Sequence, residues 1–319
     1  MRPTDLIRDA LRAIGVAGVG APISAADTND AFATLNGLLD QWSIQKLMVA
    51  YQNEIVHTLV PDVDRYSIGP TGSIAAQMNA SIAAPATLIV TSVLSGSIVR
   101  DMTLGAPTLD GTRITQFGSG VGGYGPRAVG TYTVNRVQTM APATIFGLYP
   151  RPVSIRSAFV RTNAGGSAAL DYPVSVLAAA NWQRIAQKNL PGPWPQAAYF
   201  QATETNGNIW YWPVPSQANE MHLFADAILT RFDRVEEDLT LPQGYDLALR
   251  YGLAELLLVD YGVKDELIIR QVKELAKRGR DLIKASNAVP QEVIAFDPAI
   301  VTRGGGNAGW ILTGGFTPT

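Results

Sequence analysis

The sequence predicts an α+β fold: a helical bundle base formed by N- and C-terminal helices, with a large β-rich domain between them carrying a small inserted β module. Three observations lead there. Apolar residues recur at a helical period near the start and again beyond residue 243, with only one short helical run between. The middle of the chain instead alternates at a period of two between frequent turns, which suits a sequence with 30 glycines and 20 prolines. Neither helical piece can hold itself folded in water, so the two ends have to meet.

The first helix, Thr4–Gly15, carries Leu6, Ile7, Ala10, Leu11 and Ile14 on one stripe. Thr4 reads as its N-cap and Gly15 as its left-handed C-cap. The second, Ala25–Trp42, is capped by Ser24 or Asp27 and carries Phe32, Leu35, Leu38, Leu39 and Trp42. Glu54–Val60 alternates as a strand, and Asp64–Gly72 reads as another ending in a turn. Residues 81–140 change character, being rich in Gly, Ser, Thr and Val, with short alternating runs at Ala86–Leu94, Thr112–Phe117 and Gly130–Val137. The tetrapeptide Ala-Pro-Ala-Thr stands near both ends of this stretch, at Ala84–Thr87 and Ala141–Thr144. The stretch therefore reads as a small β module inserted in a loop.

Strands resume at Pro152–Arg161, Tyr172–Val176, Gln196–Gln201 and Asn208–Pro213, with Asn206-Gly207 as a type I′ hairpin signal. Ala178–Gln187 is a short helical piece, and His222–Thr230 a closing strand. Asp246–Tyr261 (Leu247, Tyr251, Ala254, Leu257, Leu258) and Lys264–Ser286 (Leu267, Ile268, Val272, Leu275, Ile283) supply the last helices. The resulting plan has residues 1–50 packing with 239–290, a β-rich domain of 51–80 and 141–238, the module at 81–140, and an extended arm at 291–319. In that arm Trp310, Ile311, Leu312 and Phe316 stand among glycines. They are either part of a tail without order of its own or anchors that order against a partner.

Composition narrows function. A net charge of −2 argues against a chain held to nucleic acid by bulk electrostatics. The absence of cysteine removes disulfides and thiolate metal sites. No apolar run reaches membrane-spanning or signal-peptide length, so a soluble protein is expected. Gly118–Gly123 formally matches GxGxxG, yet Pro126 and the β-branched residues after Gly130 argue against the helix a dinucleotide needs; a hairpin tip is the expectation. His57 and His222, far apart and in strand-like runs, lack metal-pair spacing and read as ordinary strand residues. Asp233, Glu236, Glu237 and Asp238 lack the ligand pattern of a calcium loop. The aromatic group around Trp194, Tyr199, Trp210, Tyr211 and Trp212 reads as β-domain packing before it reads as a stacking platform. Arg270, Lys273, Lys277, Arg278 and Arg280 give the last helix an excess of positive charge, which is either a solvated face or a contact with an anionic neighbour such as DNA. No catalytic residues, cofactor or metal are expected, and the chain reads as a non-enzyme.

The run "DLIRDALRAIGV" (Asp5–Val16) followed by "LNGLLDQWS" (Leu35–Ser43) resembles the opening of head-to-tail adaptor proteins of short-tailed bacteriophages, also called tail accessory or head-completion factors. "LYPRPVSIRSAFVR" (Leu148–Arg161), "IWYWPVP" (Ile209–Pro215) and "LPQGYDLALRYGLAELL" (Leu241–Leu257) are similar to larger adaptors with a β insertion. The compact adaptors lack the module at 81–140. The resemblance implies a virion protein made in the host cytoplasm that assembles as a homo-oligomeric ring of about twelve copies. That ring would join the portal protein to the tail or nozzle protein and extend the DNA channel after packaging. It further implies that the helices form the ring wall and that Trp310, Ile311, Leu312 and Phe316 grip the portal, while the charge of Arg270, Lys273, Lys277, Arg278 and Arg280 leaves a DNA-channel or subunit contact as an alternative to a solvated face. The alternative is a β-rich tail-fibre or spike protein that binds carbohydrate.

Overall fold

The computed structural model describes residues 2–18, 20, 22–44, 49–163, 168–228, 231–232, 234–236 and 244–287. The arm at 291–319, with Trp310, Ile311, Leu312 and Phe316, lies outside the described residues, as do Asp233, Glu237 and Asp238.

Two curled sheets dominate the chain. The first has seven strands in the order β1 (Val49–Thr58), β15 (Glu220–Ile228), β9 (Ser154–Thr162), β10 (Leu170–Leu177), β12 (Ala197–Ala202), β13 (Gly207–Trp212) and β2 (Arg65–Ile68). All its pairings are antiparallel except β10 with β12. The second has six antiparallel strands in the order β5 (Thr103–Leu104), β8 (Met140–Leu148), β3 (Ala75–Ala83), β4 (Thr87–Ser95), β7 (Gly130–Val134) and β6 (Ile114–Phe117). Its two edge strands meet: the Ile114 N–H donates to the Met102 carbonyl at 3.0 Å and the Leu104 N–H to the Thr112 carbonyl at 2.7 Å. That contact brings the sheet close to a closed barrel. A two-stranded ribbon, β11 (Pro191–Gly192) with β14 (Val214–Pro215), completes the β structure.

The central strands of the second sheet escape a search for β-branched runs. β3 reads AAQMNASIA, and Ala76, Met78, Ala80 and Ile82 alternate inward with polar neighbours outward. The sheet spans Ala75 to Leu148, and one continuous apolar core, from Ile55 and Met221 to Met78 and Tyr132, runs through both sheets.

The expectation of a helical bundle base is corrected. Among the described residues the structure is mostly β, helices make up 29%, and no bundle stands toward the chain's ends. Helices α1 (Pro3–Ala13), α2 (Ala25–Ile44), α4 (Tyr245–Asp260) and α5 (Glu266–Asn287) contribute a second, smaller core; α3 (Ala179–Gln183) is a single turn within the β region. The reason lies in α4. The sequence reading gave it one apolar stripe, but Tyr245, Ala248, Leu249, Leu253, Ala254, Leu257 and Leu258 are buried around most of its circumference. A helix buried on most sides acts as the centre of a cluster, not as one face of a bundle. Gly252 and Gly279 permit this crowding: a Cβ at Gly252 would lie 2.9 Å from the Trp42 ring, and one at Gly279 would lie 2.7 Å from the Ala248 backbone.

Local expectations shift too. α1 starts at Pro3, one residue before the predicted Thr4 cap, because proline suits the first helical position. Ser24 does cap α2, its hydroxyl accepting the Asp27 N–H at 3.0 Å. Asn206-Gly207 is not a type I′ turn, since neither residue has positive φ. Gly207 instead begins β13, where a Cβ would meet the Phe200 ring at 2.3 Å.

β1 is an edge strand of the first sheet, and its outer edge is plugged by side chains from the second. The Ser97 hydroxyl accepts the Val56 N–H at 3.1 Å and donates to the Glu54 carbonyl at 2.6 Å. The Tyr149 hydroxyl accepts the Ser97 N–H at 2.8 Å and donates to the Val56 carbonyl at 3.2 Å. Burial pushes this phenol up to about 12, against the lowering effect of its Ser97 hydrogen bonds. Tyr149→Phe removes one donor and one acceptor from two buried backbone groups. Urea titration should show a loss of about 1–3 kcal/mol with an unchanged m-value.

Candidate functional site

The seven-stranded sheet turns its chemistry to the face away from its core. Along β15, Met221 and Leu223 point inward, so Glu220 and His222 point outward; Glu54 of β1 and Phe159 and Arg161 of β9 join them by register. The His222 ring stacks on Phe159 with centroids 4.3 Å apart and planes 12° from parallel. Its Nδ1 lies 2.8 Å from Glu54 Oε1, while its Nε2 has no hydrogen bond and faces Glu220 Oε2 at 3.6 Å. Tyr124 covers the ring edge-on at 4.8 Å. Arg161 donates to the Tyr124 hydroxyl and grips Asp171 with two hydrogen bonds of 2.7 and 2.6 Å. Those bonds hold the Asp171 carboxyl below its ordinary value and raise the guanidinium.

Tyr124 reaches this position because the glycine-rich run is a fixed loop. Gly122, Gly123 and Gly125 take left-handed φ values of 75°, 77° and 70°. Ile98 and Gly123 exchange two backbone hydrogen bonds of 2.7 Å. A Cβ at Gly120 would lie 2.4 Å from the Tyr132 ring, whose hydroxyl accepts the Gly122 N–H and donates to the Ala128 carbonyl. The run therefore lies against Tyr132 as the connection from β6 to β7. It ends in a four-residue 3-10 turn, Gly125–Ala128, so no helix N-terminus stands ready for a phosphate.

Between β1 and this loop opens a cleft of about 640 Å³. Gln52, Asn53 and Glu54 line one side; Ile98, Phe117 and Arg127 are on the other. Glu54 and Tyr124 are shared by the cleft and the surroundings of His222. His222 is fully buried behind it, under Tyr124 and Phe159. An imidazole so covered cannot touch an occupant of the cleft. The Glu54–His222–Glu220 array is thus a brace between strands and the loop, and the cleft itself offers a carboxylate, an amide pair and an apolar wall.

The other sequence-predicted residues lie elsewhere. Arg270, Lys273, Lys277 and Arg278 are exposed on α5, and Arg280 is ion-paired with Glu255 of α4. Of the aromatic group, Tyr199 and Trp210 form a ladder with Trp182 on the β12–β13 side: Trp182 on Tyr199 at 5.7 Å, Tyr199 on Trp210 at 5.4 Å, with the Arg65 guanidinium over Trp210. The rings of this ladder cover one another, while Trp194 stacks on Tyr172 and Tyr211 lies in the core. Among the described residues no cluster of His, Asp and Glu has metal-site geometry. Ser97, Tyr124 and Tyr149 were missed from sequence; Tyr124 alone left a signal, as the one aromatic inside a run of glycines.

His57 sits on the opposite, core-facing side of β1. Tyr66 and Tyr211 enclose it with ring centroids at 5.0 and 5.8 Å, and the Tyr211 hydroxyl lies 3.3 Å from Nε2. Burial, and secondly the charge of His222, lower its pKa to about 3. The folded state therefore keeps His57 neutral, while the unfolded chain binds a proton below about 6.5. Stability is full above that pH and is lost as pH falls toward 3, at about 1.4 kcal/mol per unit. Urea titrations from pH 7 to pH 4 should show this slope, and His57→Gln should flatten it.

No protein-family model matches the chain, and no curated protein matches it.

Proposed function

We propose that the chain is a non-enzymatic structural protein of the virion, a subunit of the ring that joins portal to tail at the head-to-tail junction of a short-tailed bacteriophage. Its work is geometric: the ring extends the DNA channel and gives the tail or nozzle protein a place to attach. The resemblance of Asp5–Val16 and Leu35–Ser43 to adaptor proteins motivates the reading.

The structural observation that supports it is the surface of α4 and α5. Val259 is 82% exposed and Leu267 70%, with Leu256 and Leu282 also open to solvent. None of the described helices is long and apolar enough to cross a membrane, so a bilayer-spanning helix does not account for these side chains. Large apolar residues on adjoining helices of a charged layer fit an interface that forms on assembly.

Mixing the purified chain with portal rings and weighing the product tests this. A complex with the ring stoichiometry of the portal is expected, and Val259→Glu with Leu267→Glu should weaken incorporation by roughly tenfold or more while the circular dichroism stays unchanged. A stable trimer that ignores the portal would sink the reading and favour a fibre.

A further inference from the structure

Helix α5 carries its positive charge in order. Arg270, Lys273, Lys277, Arg280 and Lys284 follow one another at steps of three, four, three and four. At 100° per residue they fall within an arc of about 80°, and they extend about 21 Å along the axis. The buried stripe of Val272, Ala276, Gly279 and Ile283 lies on a different side of the helix. Arg270, Lys273, Lys277 and Lys284 are exposed, and among the described residues only Arg280 of the five has an ion pair, with Glu255. Glu266 heads the stripe, and Glu274 and Asp281 flank it one step round the helix, yet among the described residues none is ion-paired with it.

The same helical layer has an opposite patch. Tyr261, just beyond α4, donates its hydroxyl to Asp27 of α2 at 2.8 Å. Burial and then Asp27 push this phenol up to about 12, and Asp30 and Asp260 add to the effect. Three carboxylates therefore gather around one tyrosine. Asp30 and Asp260 are exposed, and among the described residues neither they nor Asp27 has an ion pair with a cation.

We propose that the basic stripe of α5 docks on the Asp27–Asp30–Asp260 patch of a second copy of this chain, head to tail. This rests on the ring reading above and names its surfaces. When the stripe of one copy meets the patch of the next and its own patch stays free for a third, the contact is heterologous, and it closes into a ring when the rotation allows. Charge complementarity of this kind fixes register and suppresses wrong partners. Duplex DNA is the other polyanion that could meet the stripe. The acidic patch on the same layer and the flanking Glu274 and Asp281 repel it, only partly offset by the exposed Arg278 on that flank.

The experiment is a charge swap followed by sedimentation at low and high salt. Lys273→Glu/Lys277→Glu and, separately, Asp30→Lys/Asp260→Lys alter exposed side chains, so each should fold. Each alone should self-associate at least about a hundredfold more weakly than the unaltered chain. An equimolar mixture of the two should reassemble, because each reversed patch then meets a reversed partner. Salt should weaken assembly in the unaltered chain and in the mixture alike. If the unaltered chain assembles and both variants still do so, the ring reading stands and this contact is wrong. If the unaltered chain stays monomeric at low salt and with the portal, both fail. Loss of duplex binding in Lys273→Glu/Lys277→Glu with self-association unchanged would assign the stripe to DNA and overturn the proposal.

Discussion

The edge of β1 is the constraint on which the rest of the architecture depends. An exposed strand edge presents unpaired N–H and C=O groups, and a sheet must cover, plug or pair them. Here Ser97 and Tyr149 form a closed set of hydrogen bonds with Glu54 and Val56, and every donor and acceptor in the set is used. The plug comes from the second sheet and its exit, so satisfying the edge also fixes one sheet on the other. Tyr149 follows β8 directly, and Ser97 follows the left-handed Gly96 at the end of β4. A Cβ at Gly96 would lie 2.8 Å from the Tyr149 hydroxyl, so glycine is what lets the chain turn there.

That fixation passes outward. Ile98, one residue beyond Ser97, pairs with Gly123 and so sets the height of the glycine-rich loop over the first sheet. Tyr124 then falls on the His222 edge, and Arg161 ties its hydroxyl to the salt bridge with Asp171. The two histidines of the chain show how differently one strand pair can treat the same side chain. His57 faces the core between Tyr66 and Tyr211, where burial excludes the proton. His222 faces the other side, between the carboxylates of Glu54 and Glu220. Both serve packing, and the cleft shares Glu54 and Tyr124 with the surroundings of His222.

Periodicity made α1, α2 and most strands of the first sheet legible, because each buries a single face. It placed α4 but missed its burial, which on most sides erases the contrast between faces, and it failed at β3 and β8, whose inward residues include alanine and glycine. The Asn-Gly signal misled for a specific reason: the glycine is required by the Phe200 ring, a contact across the hairpin that no local rule contains. The cleft was not legible at all. Gln52, Ile98 and Arg127 are brought together by the β1 edge plug, and nothing in their local sequence announces it.

The meeting of the chain's ends is likewise a matter of particular contacts. Asn36 of α2 both accepts the Phe232 N–H at 3.0 Å and donates to its carbonyl, and Asp40 one turn later pairs with Arg231. The Thr4 N–H reaches the Val235 carbonyl at 3.2 Å. The segment leaving the first sheet after β15 is therefore stitched to both N-terminal helices before α4 enters the centre of their cluster. A central α4 leaves α5 with only one side to bury, Val272, Ala276, Gly279 and Ile283, and the remaining sides to present. The leucines on one flank of this surface helix leave apolar area open to water, and the contact between copies proposed above would cover part of that layer.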